Sequence, residues 1–229
     1  TDIQGGTLTT GVVDAFAQSS EIKIADGTTL NLSGFSQTAK SLSGQGTINL
    51  RDVALTRLTV TNTAAAGFDG LIIGSGGLAK TGSGPLTLTA ANEYTGGTFI
   101  SSGGSIIAQN VSALGTGAVD MDGTSSLVLD LSADGTVANQ LTGTGELSKT
   151  GGGIAFLTAA GSSAGGVEVN DGTLGFRGTG IFNVVNGGNY TTKNGAATVI
   201  EANSQLGVAG TFEQESGSTL TVQASDPAL

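Results

Sequence analysis

The chain has 229 residues with a formal net charge of −10, and 40 of its residues are glycine. An acidic surface repels phosphate backbones, so nucleic acid is not an expected partner. The chain contains no cysteine, histidine or tryptophan, which excludes disulfide bonds, cysteine or histidine metal ligands and a Ser-His-Asp catalytic triad.

The first candidate element is a weak helical pattern at residues 12–20. The apolar residues after it come in short runs, such as "LTLT" at 86–89, "LVLDL" at 127–131, "VEV" at 167–169 and "TLTV" at 219–222. Alternation with period two indicates strands with one buried side. We therefore expect an all-β fold in which Leu, Val and Ile point into a core and the intervening Thr, Ser and Asp face water.

A glycine followed by Thr or Ser and then by Leu or Ile recurs along the chain in steps of roughly 19 to 25 residues or their multiples. These glycines are Gly6, Gly27, Gly46, Gly104, Gly123, Gly172 and Gly217. Such a period indicates a solenoid whose coils stack at the strand spacing of about 4.8 Å. Because crossovers between parallel strands are nearly always right-handed, we predict a right-handed parallel β-helix of about ten coils with glycines at its corners.

Residues 74–82, "GSGGLAKTG", come close to the phosphate-binding loop G-x-x-x-x-G-K-[ST]. Ala79 stands where the second glycine belongs, however, and a strand pattern follows instead of a helix. The stretch is also repeated, because residues 74–97 and 143–166 are identical at thirteen of 24 aligned positions. We interpret the offset between the two copies as three coils of roughly 23 residues each, and Lys80 and its counterpart Lys149 as solvated corner residues.

Pairs of acidic residues are candidates for acid-base chemistry, because two carboxylates can hydrolyse glycosidic bonds. The pairs are Asp120 with Asp122, Asp130 with Asp134, and Glu168 with Asp171. An EF-hand on the first pair fails, because Ala118 and Leu129 would occupy its first and last ligand positions. Ser148 and Lys149 cannot form a nucleophile pair, because neighbours in a strand point to opposite faces. We expect no catalytic residue, cofactor site or metal site.

Residues 76–109 resemble the autotransporter-associated β-strand repeat of Gram-negative bacterial surface proteins. The shared motifs are the Gly-Gly-Leu-x-Lys-x-Gly start, the Leu-Thr-Leu strand, the Asn-x-Tyr-Thr-Gly-Gly-Thr turn and the closing Gly-Gly-Ser-Ile. The best-matched repeat covers residues 76–110 and a degraded copy covers 143–176. In that copy Gly161 and Ser163 replace Asn92 and Tyr94, which argues against a functional site at Tyr94.

The resemblance implies one β-helical passenger segment over residues 1–229, exported through the periplasm and displayed outside the outer membrane by a C-terminal barrel that this chain lacks. It implies a non-enzymatic stalk in adhesion, self-association or biofilm formation, and hence in virulence. The implied partners are host or neighbouring-cell surface molecules or a second copy. No run approaches the roughly 20 apolar residues of a membrane span, so we expect no membrane insertion by this segment. Two alternatives stay open: a β-helix enzyme acting on polysaccharide, and a spacer or folding platform for an N-terminal effector domain.

The last coils, residues 199–222, are similar over residues 207–222 to the terminal coils of such passengers. Their large apolar residues are Val199, Ile200, Leu206, Val208, Phe212, Leu220 and Val222. Because the stability of a solenoid is roughly a sum over coils and interfaces, we predict that the C-terminal third is the most stable part and the folding nucleus. Limited proteolysis during a denaturant titration tests this prediction. A surviving fragment that begins at Thr1 and lacks Phe212 would contradict it.

Overall fold

The computed structural model describes residues 1–51, 55–178 and 181–224. Its strands are, in chain order, β1 (Asp2–Ile3), β2 (Thr7–Thr9), β3 (Ile22–Ile24), β4 (Thr29–Asn31), β5 (Gln37–Ala39), β6 (Leu42–Gly44), β7 (Thr47–Asn49), β8 (Arg57–Val60), β9 (Ala66–Phe68), β10 (Leu71–Ile73), β11 (Gly77–Lys80), β12 (Pro85–Leu88), β13 (Thr98–Ile100), β14 (Ser105–Ala108), β15 (Val119–Met121), β16 (Ser126–Asp130), β17 (Gly135–Val137), β18 (Leu141–Gly143), β19 (Glu146–Thr150), β20 (Ile154–Leu157), β21 (Ser162–Ala164), β22 (Gly166–Val169), β23 (Thr173–Phe176), β24 (Ile181–Val184), β25 (Tyr190–Thr192), β26 (Ala197–Ile200), β27 (Gln205–Val208), β28 (Phe212–Gln214) and β29 (Thr219–Val222).

These strands form a parallel β-helix, as the sequence predicts. On the first face, eleven parallel strands stack in the order β1-β3-β6-β9-β12-β14-β16-β19-β22-β25-β28. Each of these strands belongs to one coil. Ile22 pairs with Leu42 and Gly44 with Phe68, so the number of residues per coil varies along the chain. The described chain therefore makes about eleven coils, in agreement with the expected number.

The other two faces are each built from two sheets. The second face contains the sheet β2-β4-β7-β10 and, further along the chain, the sheet β17-β20-β23-β26-β29. The third face contains the sheet β5-β8-β11-β13-β15-β18, followed by β21-β24-β27. The two sheets of the third face adjoin, because the backbone N–H of Leu141 in β18 donates to Oγ of Ser162 in β21 at 3.2 Å.

The interior is an aliphatic column along most of the solenoid. Leu86, Leu88, Leu127 and Leu129 point inward and are fully or almost fully buried, which confirms the inward positions predicted from the alternation. The later coils add an interior aromatic cluster instead. Its ring centroids lie 5.2 to 6.2 Å apart in the pairs Phe176–Phe182, Phe176–Tyr190 and Tyr190–Phe212.

The weak helical pattern at residues 12–20 forms turns, and the described parts of the chain contain no helix. The turn segment follows β2 and precedes β3, and its Phe16 is buried against the first coils. It is tied to the next coil, because the N–H of Asp14 donates to the carbonyl of Ser36 at 3.0 Å. Among the described residues, no helix has the length and hydrophobicity to span a membrane.

The two copies of the repeat lie on different faces, which corrects the interpretation of their offset as three whole coils. Strand pairing leads from Lys80 in β11 through Ile100 and Met121 to Gly143 in β18. Three coils from Lys80 therefore end at Gly143, whereas Lys149 lies beyond that position, in β19 of the first face. The repeat thus encodes a corner with its two flanking strands, and it recurs after three coils plus one face.

The second face lacks a strand in the coil that contains the Asn-x-Tyr turn. There Asn92 replaces strand pairing with its side chain, accepting from the N–H of Ile72 at 2.8 Å and donating to the carbonyl of Ala113 at 2.7 Å. Tyr94 fills the interior with no exposed surface. In the second copy the same part of the repeat forms β21 on the third face, which explains why Gly161 and Ser163 are tolerated there.

The last coils are less enclosed than their apolar content indicates. Phe212, Leu220 and Val222 in β28 and β29 are 39%, 41% and 63% exposed, because these strands lie at the end of their sheets. The predicted stability of the C-terminal third remains a prediction, and the interior aromatic cluster supports it.

Candidate functional site

Lys80 and Lys149 are fully buried, so the prediction that they are solvated corner residues is wrong. The ammonium of Lys80 donates to the carbonyls of Thr81 at 2.5 Å and Gly82 at 2.6 Å. That of Lys149 donates in the same way to Thr150 and Gly151, at 2.6 and 2.5 Å. Each lysine therefore holds the corner that follows its own strand. The long side chain supplies apolar packing, and its ammonium binds carbonyls that the turn leaves unpaired.

Burial lowers the pKa of both lysines. For Lys80 desolvation shifts the pKa from 10.5 to about 8. For Lys149 desolvation also lowers the pKa, and the carboxylates of Asp171, Asp130 and Asp134 partly oppose this. The ammonium of Lys80 meets only neutral carbonyls, so it loses hydration and gains no counter-charge.

Residues 74–82 form a corner, the strand β11 and the start of the next corner. The backbone N–H groups of Ser75, Gly77 and Thr81 donate to carbonyls of the preceding coil at 2.9 Å. A phosphate-binding loop needs such N–H groups free and its lysine reaching outward. Here the N–H groups are committed to neighbouring backbone and the ammonium of Lys80 is turned into the corner, so the stretch has a scaffold geometry.

Of the first acidic pair chosen from the sequence, Asp120 lies in β15 and Asp122 at the corner that follows it. Asp122 accepts from the N–H groups of Ser102 at 2.8 Å and Thr124 at 2.9 Å, and these bonds lower its pKa, with Ser102 the largest cause. Asp130 accepts from Gln109 at 2.8 Å and Thr150 at 3.0 Å. These carboxylates tie one coil to the next.

Asp134 and Asp171 also bind backbone N–H groups. Asp134 accepts from Ile154 at 2.9 Å, and Asp171 from Gly172 at 2.8 Å. Glu168 does not pair with Asp171 but contacts Lys193 and Asn170, at 3.1 and 3.2 Å. Within the described ranges, no group of three or more acidic side chains is placed to hold a metal ion.

A charged groove runs across the late coils of the first face. We define the charged groove by the carboxylates of Glu146 and Glu168, which come from two adjacent coils. It has a volume of about 400 Å³, and its lining includes Gly166, Gly187, Gly188, Asn189 and Thr191. The glycines make it concave: a Cβ added at Gly166 would lie 2.3 Å from Oε2 of Glu146, whose side chain covers that glycine.

Beside the charged groove, Lys193 links Glu168 to Glu215 of the eleventh coil. Its ammonium lies 3.1 Å from Oε1 of Glu168 and 3.0 Å from Oε1 of Glu215. Bonding to Glu215, and then to Glu168, raises the pKa of Lys193, while bonding to Lys193 and to the N–H of Asn194 lowers that of Glu215. Lys193 and Glu215 are therefore ionised at neutral pH, so this edge of the first face carries fixed charges of both signs.

The centre of the first face carries a continuous outward column. The outer column consists of residues that pair from coil to coil and point away from the core: Asp2, Lys23, Ser43, Gly67, Thr87, Ile107, Val128, Ser148, Glu168, Thr191 and Glu213. From Ser43 to Ser148, six successive coils place no charge in it. Its charges lie only at the two ends.

Glu168 is a candidate from the sequence alone, whereas Lys193, which binds it, and Glu215, which Lys193 also binds, were missed. Lys193 follows Glu168, and Glu215 follows Lys193, at intervals of about one coil. A search for charged residues at the coil spacing finds this set, whereas a search for near neighbours in the sequence finds corner residues. Neither search finds the outer column, because the segments between successive strands of the first face vary in length from coil to coil.

Comparison with known proteins gives two matches. The model of the passenger-associated transport repeat matches residues 78–106 and 147–175, and each match includes one buried lysine. The chain is 33% identical over 154 residues to the adhesin BmaC autotransporter of Brucella suis biovar 1 (strain 1330). That alignment covers 66% of this chain and 4% of the adhesin, so the chain spans a small part of that protein's length. No solved structure matches the chain.

Proposed function

Because the chain belongs to the autotransporter passengers that carry passenger-associated transport repeats, we propose that it is a non-enzymatic β-helical stalk acting in adhesion or self-association at the cell surface. The observation that carries the proposal is the first face, whose eleven stacked strands present a continuous outward column of side chains. A surface of this kind offers many weak contacts in a line. Such contacts gain strength when many copies are displayed together.

Side-chain ladders make this surface rigid. On the edge of the first face, Thr89 donates to Asp69 at 2.9 Å, and Asp130 accepts from Gln109 and Thr150. Side chains that are already held between coils lose little conformational entropy when a partner binds them. The ladder therefore favours the first face as the contact surface of the stalk.

Beads coated with the purified chain test the proposal. We expect them to clump with one another, or to adhere to cultured cell layers, more than albumin-coated beads do. A Val128→Asp variant changes the centre of the first face, and Thr38→Asp changes an outward position of the third face. Clumping or adhesion that neither variant alters would argue against the first face, and the absence of both would contradict the proposed function.

The charged groove favours a second candidate, an enzyme acting on polysaccharide. Such an enzyme needs charged groups from adjacent coils on one face, and the set of Glu146, Glu168, Lys193 and Glu215 has that placement. Release of reducing sugar from neutral or acidic polysaccharides, abolished by Glu146→Gln, would favour the enzyme. No turnover, together with bead clumping or adhesion, would favour the stalk. Neither activity would leave the spacer or folding platform as the better description.

A further inference from the structure

The distribution of charge along the outer column points to one specific partner. We propose that the first face binds a second copy of this chain, with the two rods antiparallel. The inference rests on the proposed function and names the partner of the same surface. A protein with a net charge of −10 repels its own copies except where a face is neutral or self-complementary, and the outer column has both properties.

The neutral centre is suited to contact between sheets. Thr87, Ile107 and Val128 are adjacent in the outer column and half-buried. β-branched side chains such as these form a flat surface against which another sheet packs. Ser105 and Ser126 flank them on one side and bond to each other at 2.9 Å. On the other side the carboxylate of Asp130 is held by Gln109 and Thr150 at the edge of the face, so the centre itself carries no charge.

The ends of the outer column select the orientation. Lys23 lies in the second coil, whereas Glu168 and Glu213 lie in the ninth and eleventh. When a two-fold axis passes between Ile107 and Val128, the second coil of one copy faces the eleventh coil of the other. Lys23 then meets Glu213 of the second copy, and the symmetry makes this pair twice. Parallel rods would instead place Glu168 against Glu168 and Glu213 against Glu213.

The edge of the first face agrees with the same register. A two-fold axis along the strand direction brings each edge position opposite the same edge position of the second copy. The sixth coil then faces the seventh, so Gln109 of one copy meets Asp130 of the other. Within one chain this amide and carboxylate already bond at 2.8 Å, so the same donor and acceptor are present on both sides.

The size of the face predicts weak, concentration-dependent association. Eleven coils at about 4.8 Å and strands about 13 Å wide give roughly 650 Å² per copy, or about 1,300 Å² in total. This is near the lower limit for specific interfaces. The contact is therefore transient between two free chains, and it becomes persistent where many copies face one another on adjoining surfaces.

Sedimentation equilibrium of the purified chain over a wide concentration range tests the inference. We expect a monomer–dimer equilibrium that Lys23→Glu or Glu213→Lys weakens at least tenfold, and that the double variant restores to within about threefold. Lys23 and Glu213 are exposed, so these changes leave the fold intact. Lys40→Glu makes the same charge change at an exposed position outside the outer column and serves as the control.

Three results would overturn the inference. They are a monomer at every concentration, a double variant as weak as either single variant, and a Lys40→Glu variant as weak as Lys23→Glu. Val128→Asp places a charge at the neutral centre and should abolish the dimer. Dimerisation that survives it would also refute the assigned face. If beads coated with the chain adhere to cells while these variants have no effect, the proposed function stands and the antiparallel contact fails.

Discussion

Replacement of Lys80 by methionine should reduce the rise in stability that the intact protein shows with increasing pH. Burial lowers the pKa of Lys80 to about 8, whereas in the unfolded chain the pKa is 10.5. Between these values the unfolded chain binds more protons than the folded chain, so the free energy of unfolding increases with pH. Below about pH 7 Lys80 is protonated in both states, and the folded state carries the full desolvation penalty of the ammonium.

The size of the effect follows from the two pKa values. Integration of the proton-binding difference from pH 7 to pH 9.5 gives about 2 kcal/mol in favour of the folded state. With an m-value of about 2 kcal/mol/M, the urea midpoint rises by about 1 M. The burial of Tyr94 and Tyr190 raises their pKa values, and this opposes the trend only above about pH 10, where unfolded tyrosine ionises.

Equilibrium urea titrations at pH 7 and pH 9.5 measure the effect in the native chain, in Lys80→Met and in Lys23→Met. Lys149 also has a lowered pKa and remains in all three proteins, so the difference between the first two isolates Lys80. The exposed Lys23 serves as the control for loss of a positive charge. The reasoning would be refuted if Lys80→Met kept the same pH dependence as the native chain, or if Lys23→Met lost it.

Two further predictions concern the corners and the interior. A Cβ at Gly188 would lie within 1.3 Å of a carbonyl oxygen of the preceding coil, whereas nothing lies within 4 Å of one at Gly152. Thermal or urea unfolding should therefore show a loss of about 3 kcal/mol for Gly188→Ala and a change within about 0.5 kcal/mol for Gly152→Ala, and equal effects would contradict the assigned packing. Tyr94 and Tyr190, the two tyrosines of the chain, are both buried with raised pKa values. Absorbance near 295 nm should show no tyrosinate near pH 10 until the protein unfolds, and half-ionisation with native circular dichroism would refute their burial.

The sequence alone predicted the architecture, because its signals are local. Alternation of apolar and polar residues shows which side chains of a strand are buried, as at Leu127 and Leu129. Recurrent glycines mark corners, since positive φ at residues such as Gly82 and Gly151 is accessible to glycine at little cost. These signals suffice for a solenoid with a coil of about 20 residues, and the motif around Lys80 suffices for the family.

Only the tertiary structure decided which residues stack on one another. Because the coils have unequal lengths, positions predicted from a fixed period drift along the chain. The second copy of the repeat therefore lies on a different face from the first. The same shifts hide the charged groove and the outer column, whose members are distant and unevenly spaced in the chain. The burial of Lys80 was also decided by the tertiary structure. The alternation of apolar and polar residues places Lys80 on the inward side of its strand, whereas its ammonium favours water. The two turn carbonyls that accept hydrogen bonds from this ammonium are in place only once the corner has formed. They allow the ammonium to be buried.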